Sequence, residues 1–306
     1  MALPTSGQLS LEDIATELQV SISDVSLRSM SATAGFTTPD AVSEFYGYSA
    51  APRTNLYYYS NDGVNDYIKG TWSGQTSLHN NDWSIRFFVR QNQTSKGSQQ
   101  LWDFNSNATL NSGNTTNRVF LQYQGNNNKF IARVRTNTSN FDRQWNLHSN
   151  SSATGITSQS TGWTSGQRGN VNSDNMCMLT LTYDSSQTNA ANAFKLYWND
   201  SEMTIQRSAS SGSRNAATFA SLSLCAAQHN ISGGNANVDY DEWAFYDSVL
   251  TSAQVSTLWN SGTSEDASTL LTTNLSESLR FDTGNAVDPY GSDYSGTITG
   301  GSTVAY

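Results

Sequence analysis

Two tryptophans stand in an unusual setting. Trp145 and Trp163 lie within residues 137–175, a stretch dominated by Ser, Thr, Asn and Gly. An indole offers its flat apolar face to the C–H side of a sugar when polar groups stand around it. Asn140, Asp142 and Arg143 supply such groups nearby. These five residues form the candidate glycan-binding set, and a cell-surface glycan is its candidate ligand. The competing expectation is that each Trp caps a packed core.

Other chemistries are poorly supplied. His79, His148 and His229 are isolated from one another and have no Gly-x-Ser-x-Gly elbow to serve. Cys177 and Cys225 sit in apolar runs without neighbouring cations, so they read as buried free thiols. Neither the histidines nor the cysteines show metal-ligand spacing. The nearest carboxylate grouping is Asp239, Asp241 and Glu242. A two-residue period puts Asp239 and Asp241 on one strand face and Glu242 on the other. That suits a structural strand end, and no catalytic residue is assigned. The chain is read as a non-enzyme.

The elements that must carry these residues follow from composition and pattern. Of 306 residues only 13% are charged, and the formal net charge is −9. Aromatics reach 11%, which demands a packed core. A broad positive field is missing, so nucleic acid is excluded as a partner. No run of about 18 apolar residues occurs, so no membrane insertion is expected. Met1 to Leu11 lacks a basic and an apolar signal region, and synthesis in the cytoplasm is the expectation.

Residues 1–50 contain no Asn, while the remainder is Asn-rich. The first segment has helical spacing. Ser10 with Asp13 forms a capping box before Leu11, Ile14 and Leu18. A second helix is expected from Ser23, and a third from Thr38-Pro39 through Phe45 and Tyr46 to Gly47. Leu11, Ile14, Leu18, Phe36, Phe45 and Tyr46 are its expected core or docking residues. The rhythm at residues 10–31 suggests a helix-turn-helix, but six acids stand against Arg28 alone in the first fifty residues. Residues 51–55 read as a linker.

Beyond it the period changes to two. Strands are expected at 56–59, 66–69, 83–90, 100–104, 119–123, 130–135, 177–183, 193–198, 222–226, 239–246 and 278–281, separated by turn residues. One helix is expected after Leu250, capped by Thr251 or Ser252, with Val255, Leu258 and Trp259 inward. The long stretch 137–175 reads as a loop that is either functional or holds an extra hairpin. The fold class is therefore mostly β: a two-sheet antiparallel sandwich behind a small module of short helices.

Four stretches sharpen this picture: Asn61-Asp62-Gly63-Val64-Asn65-Asp66-Tyr67-Ile68, then residues 83–90, then 179–184 with 194–200, and finally Val238-Asp239-Tyr240-Asp241-Glu242-Trp243 running to Val255. Together they resemble a laminin-G-like jelly roll of the concanavalin A-like superfamily, over residues 56–306. Asp293 to Ile298 resembles that family's returning final strand. The resemblance implies Ca2+ as a candidate cofactor, with Asp62, Asp66, Asp184 and Asp239 as candidate ligands. It also raises a glycosidase, yet the superfamily's Glu-x-Asp-x-x-Glu motif is absent here.

Leu3-Pro4-Thr5-Ser6-Gly7-Gln8-Leu9-Ser10-Leu11-Glu12-Asp13-Ile14, with Phe45-Tyr46-Gly47-Tyr48-Ser49, resembles a leader of tailed-bacteriophage virion structural proteins. That implies a virion-surface location, attachment to capsid or tail proteins through residues 1–50, and a homo-oligomer such as a trimer. A fibre displaying a glycan-binding jelly roll is the first expectation. A ligand-free head-fibre or decoration protein is the second, and a tail-associated glycosidase the third.

Overall fold

The computed structural model describes residues 3–17, 26–33, 36, 41–48, 57–91, 98–106, 117–124, 129–136, 139–146, 176–203, 206–226, 235–260, 265–281, 288–291 and 293–305. The chain folds as two compact units, Met1–Arg53 and Thr54–Tyr306. The expected linker, 51–55, lies outside the described residues.

The first unit holds α1 (Leu11–Glu17), α2 (Leu27–Thr33) and one 3-10 turn (Val42–Phe45). The Ser10 hydroxyl accepts from the Asp13 amide at 3.1 Å, and the Ser10 amide donates to the Asp13 carboxylate at 2.8 Å. This reciprocal box starts α1 where the sequence placed it. The second helix begins later than expected, at Leu27. The expected start of the third, Thr38-Pro39, lies outside the described residues, and its described part is the 3-10 turn, whose entry is fixed by the Ala41 amide donating to Glu44 at 3.0 Å. Ile14 and Phe45 are buried with Leu3 and Met30. Phe36 packs on them and meets the Phe45 ring edge-on at 5.1 Å. Leu11 and Tyr46 depart from the expected core: they are 44% and 38% exposed. The Tyr46 hydroxyl reaches outward to the Gly7 carbonyl at 2.6 Å, which draws its ring to the surface. Leu18 lies outside the described residues.

The second unit begins with β1 (Tyr57–Ser60), β2 (Tyr67–Trp72), β3 (Trp83–Gln91), β4 (Ser98–Asn105), β5 (Arg118–Gln124), β6 (Lys129–Thr136) and β7 (Ser139–Asn146). It continues with β8 (Cys177–Tyr183), α3 (Ala190–Ala193), β9 (Phe194–Trp198), β10 (Ser201–Glu202), β11 (Gln206–Ser211), β12 (Ser221–Leu224) and β13 (Val238–Tyr246). Last come α4 (Ser252–Trp259), α5 (Ala267–Leu270), β14 (Leu275–Arg280), β15 (Asp288–Tyr290), β16 (Tyr294–Thr299) and β17 (Ser302–Ala305).

Two antiparallel sheets form a sandwich, as the alternating pattern predicts. Sheet I has the order β10-β9-β8-β3-β13-β1-β17, with β14 and β15 continuing from the second half of β13. Sheet II has the order β11-β7-β6-β5-β4-β12-β2-β16. Their inner faces meet through rings from both: Trp83 to Trp102 at 5.9 Å and Phe104 to Phe245 at 6.0 Å. Strand alternation supplies these residues, because every second side chain of β3, β5 and β6 points inward. Cys177 and Cys225 are buried and unbridged.

The outer side of sheet I is apolar too. Phe88, Met178 and Tyr246 are covered by Val255 and Leu258 of α4 and by Ala267 of α5. Thr251, one of the two expected caps, starts α4, and Gln254 is its reciprocal partner. Buried Arg86 fastens the corner: it donates to the carbonyls of Leu258 and Glu265 and faces the Glu242 carboxylate at 3.6 Å. A bulge between Asp241 and Ala244, with Glu242 at φ 48°, brings Glu242 to the Arg86 side. The expected opposition of Glu242 to Asp239 and Asp241 is thereby overturned. The extra residue in the strand resets the alternation.

Candidate functional site

Residues 139–146, in a stretch expected to be a functional loop or to hold an extra hairpin, form β7, which lies between β6 and the edge strand β11 of sheet II. This single change redistributes the candidate glycan-binding set. Asn140 and Asp142 point to the outer face, while Arg143 and Trp145 point into the sandwich. Trp145 has no exposed surface and belongs to the main core, with the Arg143 guanidinium 5.2 Å from its ring. Arg143 donates to the Phe194 carbonyl of sheet I, and burial lowers its affinity for a proton. An aromatic platform shared by Trp145 with Asn140 and Asp142 is therefore not formed. Trp163 lies outside the described residues.

What does form is a polar outer face. Strand register aligns its residues in rows. Ser221, Asn105, Arg118, Arg135 and Asn140 make one row across five strands. The next is Ser223, Asp103, Phe120, Arg133, Asp142 and Ser210. A third is Gln100, Gln122, Ile131, Gln144 and Ser208. Asp103 accepts from Arg118 Nε at 3.1 Å and from its terminal nitrogen at 2.7 Å. Asp142 accepts from Arg133 at 2.9 and 2.6 Å. Both guanidiniums lie over the Phe120 ring, at 4.6 and 5.6 Å from its centre. The ring thus floors two charges whose planes are fixed by bidentate or near-bidentate pairing. Lys129 donates to Gln144 at 2.8 Å.

The face has a closed half and an open half. Asp103, Asn105, Ser221 and Ser223 are buried. Gln122, Lys129, Arg133, Arg135, Asn140 and Gln144 are half-buried. The sequence carried a signal for this: Asn140, Asp142 and Gln144 alternate with Phe141, Arg143 and Trp145. Arg133, Arg135, Gln122 and Gln144 were missed because polar residues at outward strand positions look like ordinary solvent-facing ones.

The four aspartates implied for Ca2+ serve the chain's own turns and pairs. Asp62 accepts from the Val64 amide at 2.7 Å, and Asp66 from the Asp62 amide at 3.1 Å. Asp184 accepts from the Ser186 hydroxyl and amide at 2.6 and 2.9 Å, which holds its carboxyl below the usual range. Asp239 is paired with Arg90, whose Nε lies at 2.6 Å. Among the described residues no three His, Cys, Asp or Glu side chains are grouped as metal ligands.

No known family model matches the chain, and no curated protein does either. Similar solved structures exist. A putative carbohydrate binding protein from Bacteroides ovatus has TM-score 0.49 and 11% identity, over 84% of this chain and 61% of that one. A heptameric SAP-like pentraxin from Limulus polyphemus has TM-score 0.46 and 10% identity, over 81% of this chain and 96% of that one. This chain therefore matches less than two thirds of the first structure's length.

Proposed function

We propose that the sheet domain is a glycan-binding adhesion module and that residues 1–50 attach it to a tailed-phage virion. The observation that carries the first half is the open part of the outer face of sheet II. There Arg133, Arg135, Asn140, Gln122, Gln144 and Lys129 stand side by side on rigid strands. Neighbouring strands are about 5 Å apart, so the face presents a lattice of fixed donors and acceptors. Polyhydroxylated ligands are recognised by such preset groups, and many copies on one particle turn weak binding into firm adhesion. The second half is supported by a separate small unit with its own core and with Leu11 and Tyr46 on its surface.

A glycan array probed with the full chain tests the reading. Binding is expected in the wild type, lost by at least about tenfold in Gln122→Ala/Gln144→Ala, and kept in Lys195→Gln, whose pair with Glu202 lies elsewhere. Loss in Trp163→Ala with none in the double variant would move the site to residues 147–175. The ligand-free decoration protein is the second reading, favoured by the burial of Trp145. Silence of every variant on the array would select it.

A further inference from the structure

Resting on the reading that this face binds glycan, we infer that its ligand is acidic: a polysaccharide bearing carboxylate or sulfate groups, anchored at Arg135. The charge on the molecule is distributed against its average. The chain carries 16 Lys and Arg and a net charge of −9. Yet Arg118, Lys129, Arg133 and Arg135 all occupy the outer face of two adjacent strands, β5 and β6. The acids in the same rows are Asp103 and Asp142. Each neutralises one arginine, Arg118 and Arg133 respectively. The face stays locally positive on an acidic protein, which concentrates anions there.

Arg135 is the position where that charge is unanswered. It lies directly opposite Arg118 across the β5–β6 ladder, an arrangement of like charges that costs stability. No carboxylate pairs with it among the described residues, and its Nε is buried without an acceptor. On its other side Asn140 holds an Oδ1 that is equally without a donor. An unmet donor and an unmet acceptor stand in one row. The terminal nitrogens of the half-buried guanidinium stay accessible, and they take the oxyanion of an acidic sugar. Lys129, at the far end of the same strand, is about 20 Å from Arg135 by strand rise. An extended polymer along β6 reaches both.

Nucleic acid is the less favoured polyanion. Base recognition needs exposed rings, and the Phe120 ring is only 3% exposed beneath its two guanidiniums.

The test compares full-length wild type, Arg135→Gln and Arg135→Lys on matched acidic and neutral glycans and on single-stranded DNA, at about 0.15 M salt. Wild type is expected to prefer acidic glycans by about tenfold or more. Arg135→Gln should remove that preference, weakening acidic binding about tenfold more than neutral binding, and Arg135→Lys should retain part of it. Acidic binding alone should weaken as salt rises. Thermal melts confirm that both variants fold; if Arg135→Gln does not, Arg135→Lys and the salt series decide. Equal binding of acidic and neutral glycans overturns this inference and leaves the glycan reading standing. Absence of all glycan binding overturns both. DNA binding as tight as acidic-glycan binding also overturns it, in favour of a general polyanion site.

Discussion

Glu277 shows how one side chain can join the two sheets. It sits on β14 of sheet I, in register with core residue Phe245, and has no exposed surface. Its Oε2 accepts from the amides of Asp293 and Tyr294, at 2.8 and 2.9 Å, where β16 of sheet II begins. Burial, assisted by the Asp293 carboxylate, pushes its pKa up to about 7. The same burial, with Asp293 beside it, raises Asp247. A carboxyl raised in the fold holds its proton more tightly there than in the unfolded chain. Its stabilising contribution is complete below the unfolded value of 4.5 and is lost as pH rises through about 7. Urea midpoints of wild type and Glu277→Gln should therefore diverge between about pH 5 and pH 8, with the variant gaining on wild type. The amide keeps an acceptor for both N–H groups and carries no charge. Parallel pH profiles would refute the clasp. At this same scale the candidate site was half legible. Asn140 and Asp142 lie on the outer face of sheet II, because the alternation of residues 140–145 is written in the sequence. Arg143 at an inward position disguised it, since a guanidinium inside a sandwich breaks the polar-out rule.

Among the elements, those with strong inward residues were readable and those without were not. β3, β5, β6, β8, β9 and β13 each alternate large apolar side chains and fall close to their expected places. β11 is Gln-Arg-Ser-Ala-Ser-Ser, with no apolar residue larger than Ala, so only its ladder with β7 makes it a strand. The Asp241–Ala244 bulge left no sequence signal because Glu242 is an ordinary residue held at positive φ by its surroundings. Arg86 donates to the Glu242 carbonyl and also ties α4 to sheet I. Replacing Arg86 with Met removes the cation that faces the buried Glu242 carboxylate and the bonds to the Leu258 and Glu265 carbonyls. The expected cost is roughly 3–5 kcal/mol, read as a lowered melting temperature. A variant as stable as wild type would show that α4 and the bulge stand without it. The link between β16 and β17 is equally specific. Gly300 and Gly301 have φ of 63° and 60°, and a Cβ on Gly300 would collide with the Asp66 carboxylate. Gly300→Ala should destabilise by at least about 1 kcal/mol in urea titration, and an unchanged midpoint would contradict the need for a bare backbone there.

The whole molecule spends its few charges unevenly. With 13% charged residues, most of its polar surface is amide and hydroxyl, yet four cations crowd two strands of one face. That clustering cannot be seen in a linear sequence, because Arg118 and Arg135 become neighbours only through the β5–β6 hairpin. Fold class and the division near residue 50 were legible, since composition and period both change there. The make-up of the outer face of sheet II depended on register, which single-strand patterns leave open. Hydrogen–deuterium exchange of the full chain, with and without the best array ligand, tests the central claim most directly. Binding at the outer face of sheet II should slow exchange across residues 118–146 and leave α4 and β14 unchanged. Protection confined to any other part of the chain would contradict it.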